Sequence, residues 1–284
     1  MIDRGPVSRR PDDRARLLGP GRVALVTGAS SGIGEAFARA LGRRGLALIL
    51  SGRNAACLAR VAASVADASA VRVEQVVADL AQPDGPEQVK AAVDVLGLVP
   101  DVLVNNAGGG LLGSFAALSL AGQRQMVRVN CESLVALTGL FLPAMLAQGR
   151  GGIVNVSSAA SLQPLPHFAV YAASKAFVTS FSTALWAEAR QRGVTVVAVC
   201  PGPVADTRFG ERAGASPLSG LPMLSKRREM PREAVVAQAL AALDRGDPLV
   251  VPGLANRLMA GLASVAPRRW QLLVTERLFR PAAW

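Results

Sequence analysis

Tyr171 is the only tyrosine in this 284-residue sequence, and it stands four positions before Lys175, one of three lysines. Lys90 and Lys226 are the others, and 28 arginines carry the remaining positive charge. Positions i and i+4 share a helix face, so phenol and ammonium can act on one small volume. A phenol with a pKa of ~10 is a weak acid or base at neutral pH, and a nearby cation favours phenolate. Lysine supplies such a point charge; the planar fork of arginine is not equivalent. Taken alone, the pair is equally readable as chance on a solvated helix.

The elements that would position these groups follow from hydrophobic patterning. Short Val/Leu/Ile/Ala runs alternate with longer amphipathic ones, the pattern of parallel strands joined by helices. Strands are expected at Val23–Thr27, Ala47–Ser51, Arg72–Val77, Val102–Asn105, Ile153–Ser157, Val194–Cys200 and Leu249–Val251. Several lack polar alternation, as expected of strands covered on both faces. Helices are expected at Ile33–Arg44, Asn54–Ala68, Pro86–Leu96, Leu120–Gln148, Tyr171–Arg192 and Pro231–Arg245. The reading is α/β: one doubly wound, three-layer domain over residues 21–252 with a seven-stranded parallel sheet. A disordered basic tail (1–20) precedes it, and a helical extension (253–284) follows.

Polar and glycine-bearing motifs fall at the strand ends. Thr27–Gly28–Ala29–Ser30–Ser31–Gly32–Ile33–Gly34 follows the first strand and opens the first helix. Small residues there let the backbone approach a pyrophosphate, and the helix N-terminus offers free N–H groups. The second strand runs into Ser51–Gly52–Arg53 with no carboxylate for a ribose 2′-hydroxyl. Arg53 instead matches a 2′-phosphate, which favours NADP(H) over NAD(H); an ordinary surface arginine is the other reading. Asp79–Leu80 follows the third strand, its carboxylate suited either to an adenine amine or to a helix cap. Asn105–Asn106–Ala107–Gly108, Ser157–Ser158 and Pro201–Gly202–Pro203–Val204 close the fourth, fifth and sixth strands. Ligands of open parallel sheets bind beyond these ends, near the switch in strand order.

The glycine loop, the Asn-Asn-Ala-Gly run, Ser158, Tyr171–Ala172–Ala173–Ser174–Lys175 and Pro201–Gly202 together resemble the short-chain dehydrogenase/reductase family, single-domain type. The resemblance spans roughly Arg22 to Pro252. It implies a Rossmann sheet, a nicotinamide cofactor and carbonyl–alcohol interconversion. It places the catalytic roles on Asn130, Ser158, Tyr171 and Lys175, choosing Ser158 over Ser157 because the family's serine precedes the tyrosine by thirteen positions. Cofactor contacts are implied at Thr27, Gly28, Ser30, Ser31, Gly32, Ile33, Gly34 and Arg53. Further contacts fall on Asp79, Leu80, Asn106, Ala107, Gly108, Tyr171, Lys175, Pro201, Gly202 and Val204, with Thr207 on the nicotinamide carboxamide. By the same resemblance, Ser158 and Tyr171 bind the carbonyl oxygen and Tyr171 exchanges the proton as general acid or base. Lys175 lowers the tyrosine pKa and holds the nicotinamide ribose, and Asn130 secures a water on the proton path.

The substrate pocket is expected from Gly109–Ala116, Leu162–Phe168 and a lid at Arg208–Met230. Leu111, Leu112, Phe115, Leu162, Leu165 and Phe168 make it apolar, so a hydrophobic ketone or aldehyde is the expected substrate. His167, the sole histidine, either lines this pocket or is an ordinary loop residue. No His/Cys/Asp spacing suggests a metal.

Composition bounds the remaining classes. At 51% hydrophobic residues the chain supports a substantial core. The formal charge of +11 is spread along the sequence with only 4% aromatics, which argues against a nucleic-acid partner. Denser clusters stand at Arg4, Arg9, Arg10, Arg14 and Arg16, and at Lys226–Arg227–Arg228. Three scattered cysteines, no secretion signal and no uninterrupted spanning run lead to a cytoplasmic expectation. Leu254–Phe279 mixes arginine with large apolar residues: it packs on its own domain or a partner subunit, or contacts a membrane. The family resemblance further implies a homodimer or homotetramer. Two other classes stand beside the reductase, a non-catalytic NADP(H)-binding regulator and a membrane-peripheral scaffold.

Overall fold

The computed structural model describes residues 17–207, 209–213 and 229–280. Its seven strands are β1 (Val23–Thr27), β2 (Ala47–Gly52), β3 (Val73–Val77), β4 (Val102–Asn105), β5 (Gly151–Val156), β6 (Val194–Val199) and β7 (Leu249–Val250). They form one parallel sheet in the order β3-β2-β1-β4-β5-β6-β7. The order reverses between β1 and β4, which opens a crevice above their carboxyl ends.

Helices α1 (Gly32–Arg43), α2 (Ala55–Ser69) and α3 (Gly85–Val95) follow the first three strands. Next come α4 (Leu120–Val127), α5 (Ser133–Ala147) and α6 (Ala169–Ala189), then a helical turn α7 (Phe209–Arg212) and α8 (Arg232–Arg245). Two further helices, α9 (Leu254–Val265) and α10 (Arg268–Phe279), end the described chain.

Strand side chains alternate between the faces, and so sort the core into two layers. Ala24, Val26, Leu48, Leu50, Val102 and Val104 join residues of α1, α2 and α8. Leu25, Ile49 and Leu103 join residues of α3, α5 and α6 on the opposite face. This two-sided burial is why the strands read as continuous apolar runs. Phe37, fully buried in the first layer, anchors α1 under the crevice. Its replacement by alanine is expected to cost about 3–5 kcal/mol.

Two expectations need correction. Leu17 and Leu18, assigned from sequence to the tail, are buried in the first core layer, so the domain begins before residue 21. Residues 1–16, with their five arginines, lie outside the described residues, as does Lys226–Arg227–Arg228. The helix expected at Leu120–Gln148 is interrupted by a π turn at Arg128–Glu132, a widening that recurs at functional positions of helices. By length and composition the run Leu120–Ala147 suffices to cross a membrane, but Leu137, Phe141 and Met145 are packed on the sheet. The C-terminal segment, expected to be helical, forms two helices. Pro267 disfavours helical backbone in the residue before it, and Ala266 is extended at φ −71°, ψ 139°.

Candidate active site

The loop after β1 presses against the end of β4. A methyl on Gly34 would collide with the carbonyl of Gly28 and the side chain of Asn106, so only glycine fits there. Thr27 Oγ1 donates to the Val104 carbonyl and accepts from the amides of Asn106 and Ala107 at 3.0 and 3.1 Å. Asn106 Nδ2 donates back to the carbonyl of Thr27 at 2.9 Å. Thr27, Gly34 and Asn130, named from sequence as site residues, do not line the crevice. They brace it from behind.

What lines the crevice is one continuous cavity of about 1080 Å³. Its first part is bounded by Gly28, Ser30, Ser31, Gly32, Ile33, Arg53, Asp79 and Leu80. Ser31 caps α1 with extended backbone and no side-chain cap bond, which leaves first-turn N–H groups facing the cavity. Ser51 also borders this part, and its buried Oγ has no partner within the protein. Open helix amides, an exposed guanidinium at Arg53 and an orphaned hydroxyl suit a phosphorylated nucleotide. The residues present therefore fit a dinucleotide. Asp79 Oδ1 accepts from the Ala81 amide at 3.0 Å, so one carboxylate oxygen serves the turn.

Farther along, the cavity passes Asn106, Ala107 and Gly108 and reaches Ser158, Tyr171 and Lys175. Pro201, Gly202, Val204 and Thr207 form the adjoining wall. The structure separates the two serines of the fifth strand end. Ser157 Oγ donates to the Lys175 carbonyl at 2.8 Å and pairs with Thr179, turned into the protein. Ser158 caps the turn that follows, accepting from the Ala160 amide at 3.1 Å, and shares the cavity wall with Tyr171.

Tyr171 is buried between two rings, stacked on Phe168 at 4.3 Å and tilted against Phe209 at 5.3 Å. Burial pushes its phenol from 10.0 up to about 12, while the Ser158 side chain pulls the other way. Lys175 is buried as well, its Nζ donating to the Val156 carbonyl at 2.9 Å, and burial pushes its ammonium down to about 8. The sequence leads one to expect a phenol lowered by Lys175. The protein's own groups act in the opposite direction, because burial is the largest influence on the phenol and Lys175 is not among the groups that shift it.

Asn130 sits on the π turn, fully buried. Its Nδ2 donates to the Gly109 carbonyl and to Ser174 Oγ at 3.0 and 2.9 Å, and its Oδ1 accepts from the Gly109 amide at 3.0 Å. Gly108 is the meeting point: a methyl there would stand 3.1 Å from Asn130 Oδ1 and 3.2 Å from Lys175 Nζ. Asn130 and Lys175 thus face the same backbone turn at the end of β4.

Beyond Tyr171 the cavity turns apolar, with Leu111, Leu162, Leu165 and Phe168 on its wall. Leu112 packs in the small cluster around Leu165, Ala172 and Phe279, whereas Phe115 is 64% exposed and takes no part. His167 does not line the cavity; its Nε2 lies 3.6 Å from Glu276 Oε1 on α10. Of the lid segment, Phe209, Glu229 and Met230 border the cavity, and residues 208 and 214–228 lie outside the described set. Among the described residues no cluster suits a metal ion.

Sequence reasoning missed two contributions. Ser174, inside the Tyr-x-x-x-Lys run, links Asn130 to the Tyr171 carbonyl, donating to the latter at 2.7 Å. Its signal was a polar residue on the buried face of α6. The inner faces of α9 and α10 also wall the cavity through Met259, Ala260, Ala263 and Phe279. The spacing of Asn256, Met259, Ala260 and Ala263, at three, four and seven, carried that information.

The comparisons agree with this geometry. The short chain dehydrogenase family profile matches residues 22–216. A very-long-chain 3-oxoacyl-CoA reductase of Anas platyrhynchos is 37% identical over 191 residues, 65% of this chain and 61% of the relative. The match therefore spans about three fifths of that relative's length. The ketoacyl reductase HetN of Nostoc sp. is 35% identical over 71% of this chain and 70% of its own. Among solved structures, a short-chain dehydrogenase from Sphingobium yanoikuyae in complex with NADPH superposes with a TM-score of 0.74 at 33% identity. It covers 87% of this chain and 96% of that one. With the family profile matching residues 22–216 of its 284, the chain belongs to the short-chain dehydrogenase family.

Proposed function

We propose that the protein is an NADP(H)-dependent oxidoreductase that reduces a hydrophobic ketone or aldehyde to its alcohol. The observation that carries this reading is that Ser158, Tyr171 and Lys175 meet on the wall of one cavity, where its phosphate-binding half joins its apolar half. A nicotinamide cofactor, when bound, supplies the hydride. Arg53 and the open amides of α1 would hold its phosphates, and Lys175 and the Gly108 turn border the place where the nicotinamide ribose would lie.

The chain's own groups handle the oxygen. Ser158 and Tyr171 orient the carbonyl and stabilise the negative charge that grows on it. With a pKa of about 12 the phenol is protonated at neutral pH, so it is already the acid an alkoxide needs. That protonation state favours the reductive direction. Phe168, Phe209 and Leu165 exclude water from the proton transfer.

Substrate class follows from the apolar wall and its volume. Leu111, Leu162, Phe168 and Phe279 offer no charged partner, which fits an extended or bulky hydrocarbon beside the carbonyl. The relatives named for very-long-chain 3-oxoacyl-CoA and ketoacyl substrates support a lipophilic carbonyl. NADPH consumption measured against 2-ketones of increasing chain length tests the proposal. We expect kcat/KM to rise about tenfold for every two methylenes until the pocket is filled, as ~0.8 kcal/mol per buried methylene requires. A folded, NADPH-binding protein inert towards every ketone and aldehyde would refute it.

A further inference from the structure

Apolar side chains are distributed unevenly over the outer surface. Nineteen large hydrophobic residues are exposed among the described residues, and nine of them fall between Leu254 and Val274. On α9 they form one stripe, Leu254, Leu258, Leu262 and Val265, the first 72% and the last 80% exposed. The spacing of four, four and three keeps them on a single helix face. Trp270, Leu273 and Val274 make a second stripe on α10. Large exposed apolar side chains gathered on neighbouring segments in this way mark an interaction surface.

Charge identifies the partner. Residues 254–280 hold five arginines and one acidic residue, Glu276. Glu276 is already engaged by Arg280 at 2.7 and 2.8 Å and faces His167. Arg277 shares the helix face of the Trp270 stripe, Arg269 flanks it, and Arg268 is exposed at the start of the same helix. A second copy of the chain would set this basic face against itself, since a two-fold interface repeats the same surface on both sides. An anionic lipid surface complements it. Leucines and a tryptophan flanked by arginines are what helices lying in the headgroup layer present: the rings sit at the interface while guanidiniums reach phosphate.

The same helices connect this face to the catalytic cavity. Met259 is half exposed on the outside and also borders the cavity, next to Ala260 and Ala263. Asn256 anchors the first turn of α9 against Gly202, where a methyl would collide with it. We propose that the α9–α10 face docks on anionic membranes, laying the wall of the cavity against the lipid.

Flotation of the full-length protein with vesicles of phosphatidylcholine, and of phosphatidylcholine with 30% phosphatidylglycerol, tests this directly. We expect at least tenfold tighter binding to the anionic vesicles and its loss in 0.5 M salt. Leu258→Glu with Trp270→Glu, and separately Arg268→Glu with Arg269→Glu, should each weaken binding at least tenfold. Unchanged NADPH binding and circular dichroism would show that these surface variants remain folded. The proposal is overturned if the intact chain ignores both vesicles, or if the variants float as well as the parent. It is equally overturned if the apolar variant instead converts a dimer to a monomer in sedimentation while the parent shows no vesicle binding.

Discussion

Lys175 Nζ donates to the carbonyl oxygen of Val156 at 2.9 Å, which fixes the ammonium at the end of β5, out of water. One backbone carbonyl cannot replace a hydration shell, so the charge is held at a cost that burial imposes and the active site retains.

The cost should be visible in stability. The folded ammonium has a pKa of about 8 against an ordinary 10.5. Between these values the unfolded chain keeps a proton the folded one has released, so stability rises with pH over that window. Tyr171 works oppositely at higher pH: its folded value of about 12 exceeds 10.0, so stability falls as pH climbs from 10 to 12. Urea denaturation without added cofactor should find Lys175→Met more stable than the parent at pH 7, by on the order of 2–3 kcal/mol. The gap should close towards pH 10. A variant less stable at both pH values would contradict the account.

Because Tyr171 is unique, its ionisation can be followed at the tyrosinate absorption band without ambiguity. At pH 11 about nine tenths of a free phenol with pKa ~10 is ionised. The buried phenol should then be only about a tenth ionised, with near-ultraviolet dichroism showing that the fold persists. Ser158→Ala removes a hydroxyl whose influence favours phenolate and should lower this fraction further. Free-tyrosine behaviour would show that the Phe168–Tyr171–Phe209 stack does not exclude water.

Arg53 borders the nucleotide half of the cavity where no carboxylate competes for a ribose hydroxyl. Arg53→Ala should weaken NADPH binding about 10- to 100-fold, as losing a charge-assisted phosphate contact implies. NADH binding should change less than threefold. Calorimetric titration of both cofactors separates this from a general loss of binding.

Asn130 holds Gly109 by two hydrogen bonds and Ser174 by a third, without bordering the cavity itself. Asn130→Ala should free the backbone turn beside Lys175 and lower kcat about 100-fold, the usual consequence of displacing a site by about an ångström. The change in KM should be small. A variant losing only stability, with kcat intact, would make Asn130 purely structural.

Much of this was legible in the sequence because the physics is local. Two-faced burial writes strands such as Val102–Asn105 as unbroken apolar runs, and the glycine loop, the strand-end motifs and Tyr171–Lys175 each lie within eight residues. The unread parts depend on tertiary placement. Nothing local announces that Leu17 packs beside Gly152 and Leu18 joins the same core layer, or that the α4–α5 run widens at Arg128 to turn Asn130 inward. The sign of the Tyr171 shift was hidden for the same reason. It is set by Phe168 and Phe209, one of them 38 positions away along the chain, whereas sequence spacing exposes only the lysine.

The most direct test compares NADPH oxidation by the parent protein and Tyr171→Phe with one lipophilic ketone. Phenylalanine keeps the stack with Phe168 and removes only the hydroxyl. The account predicts unchanged NADPH affinity and a fall in kcat of about 10²–10⁴-fold, the usual worth of a general acid. Turnover within a factor of about three of the parent would contradict it.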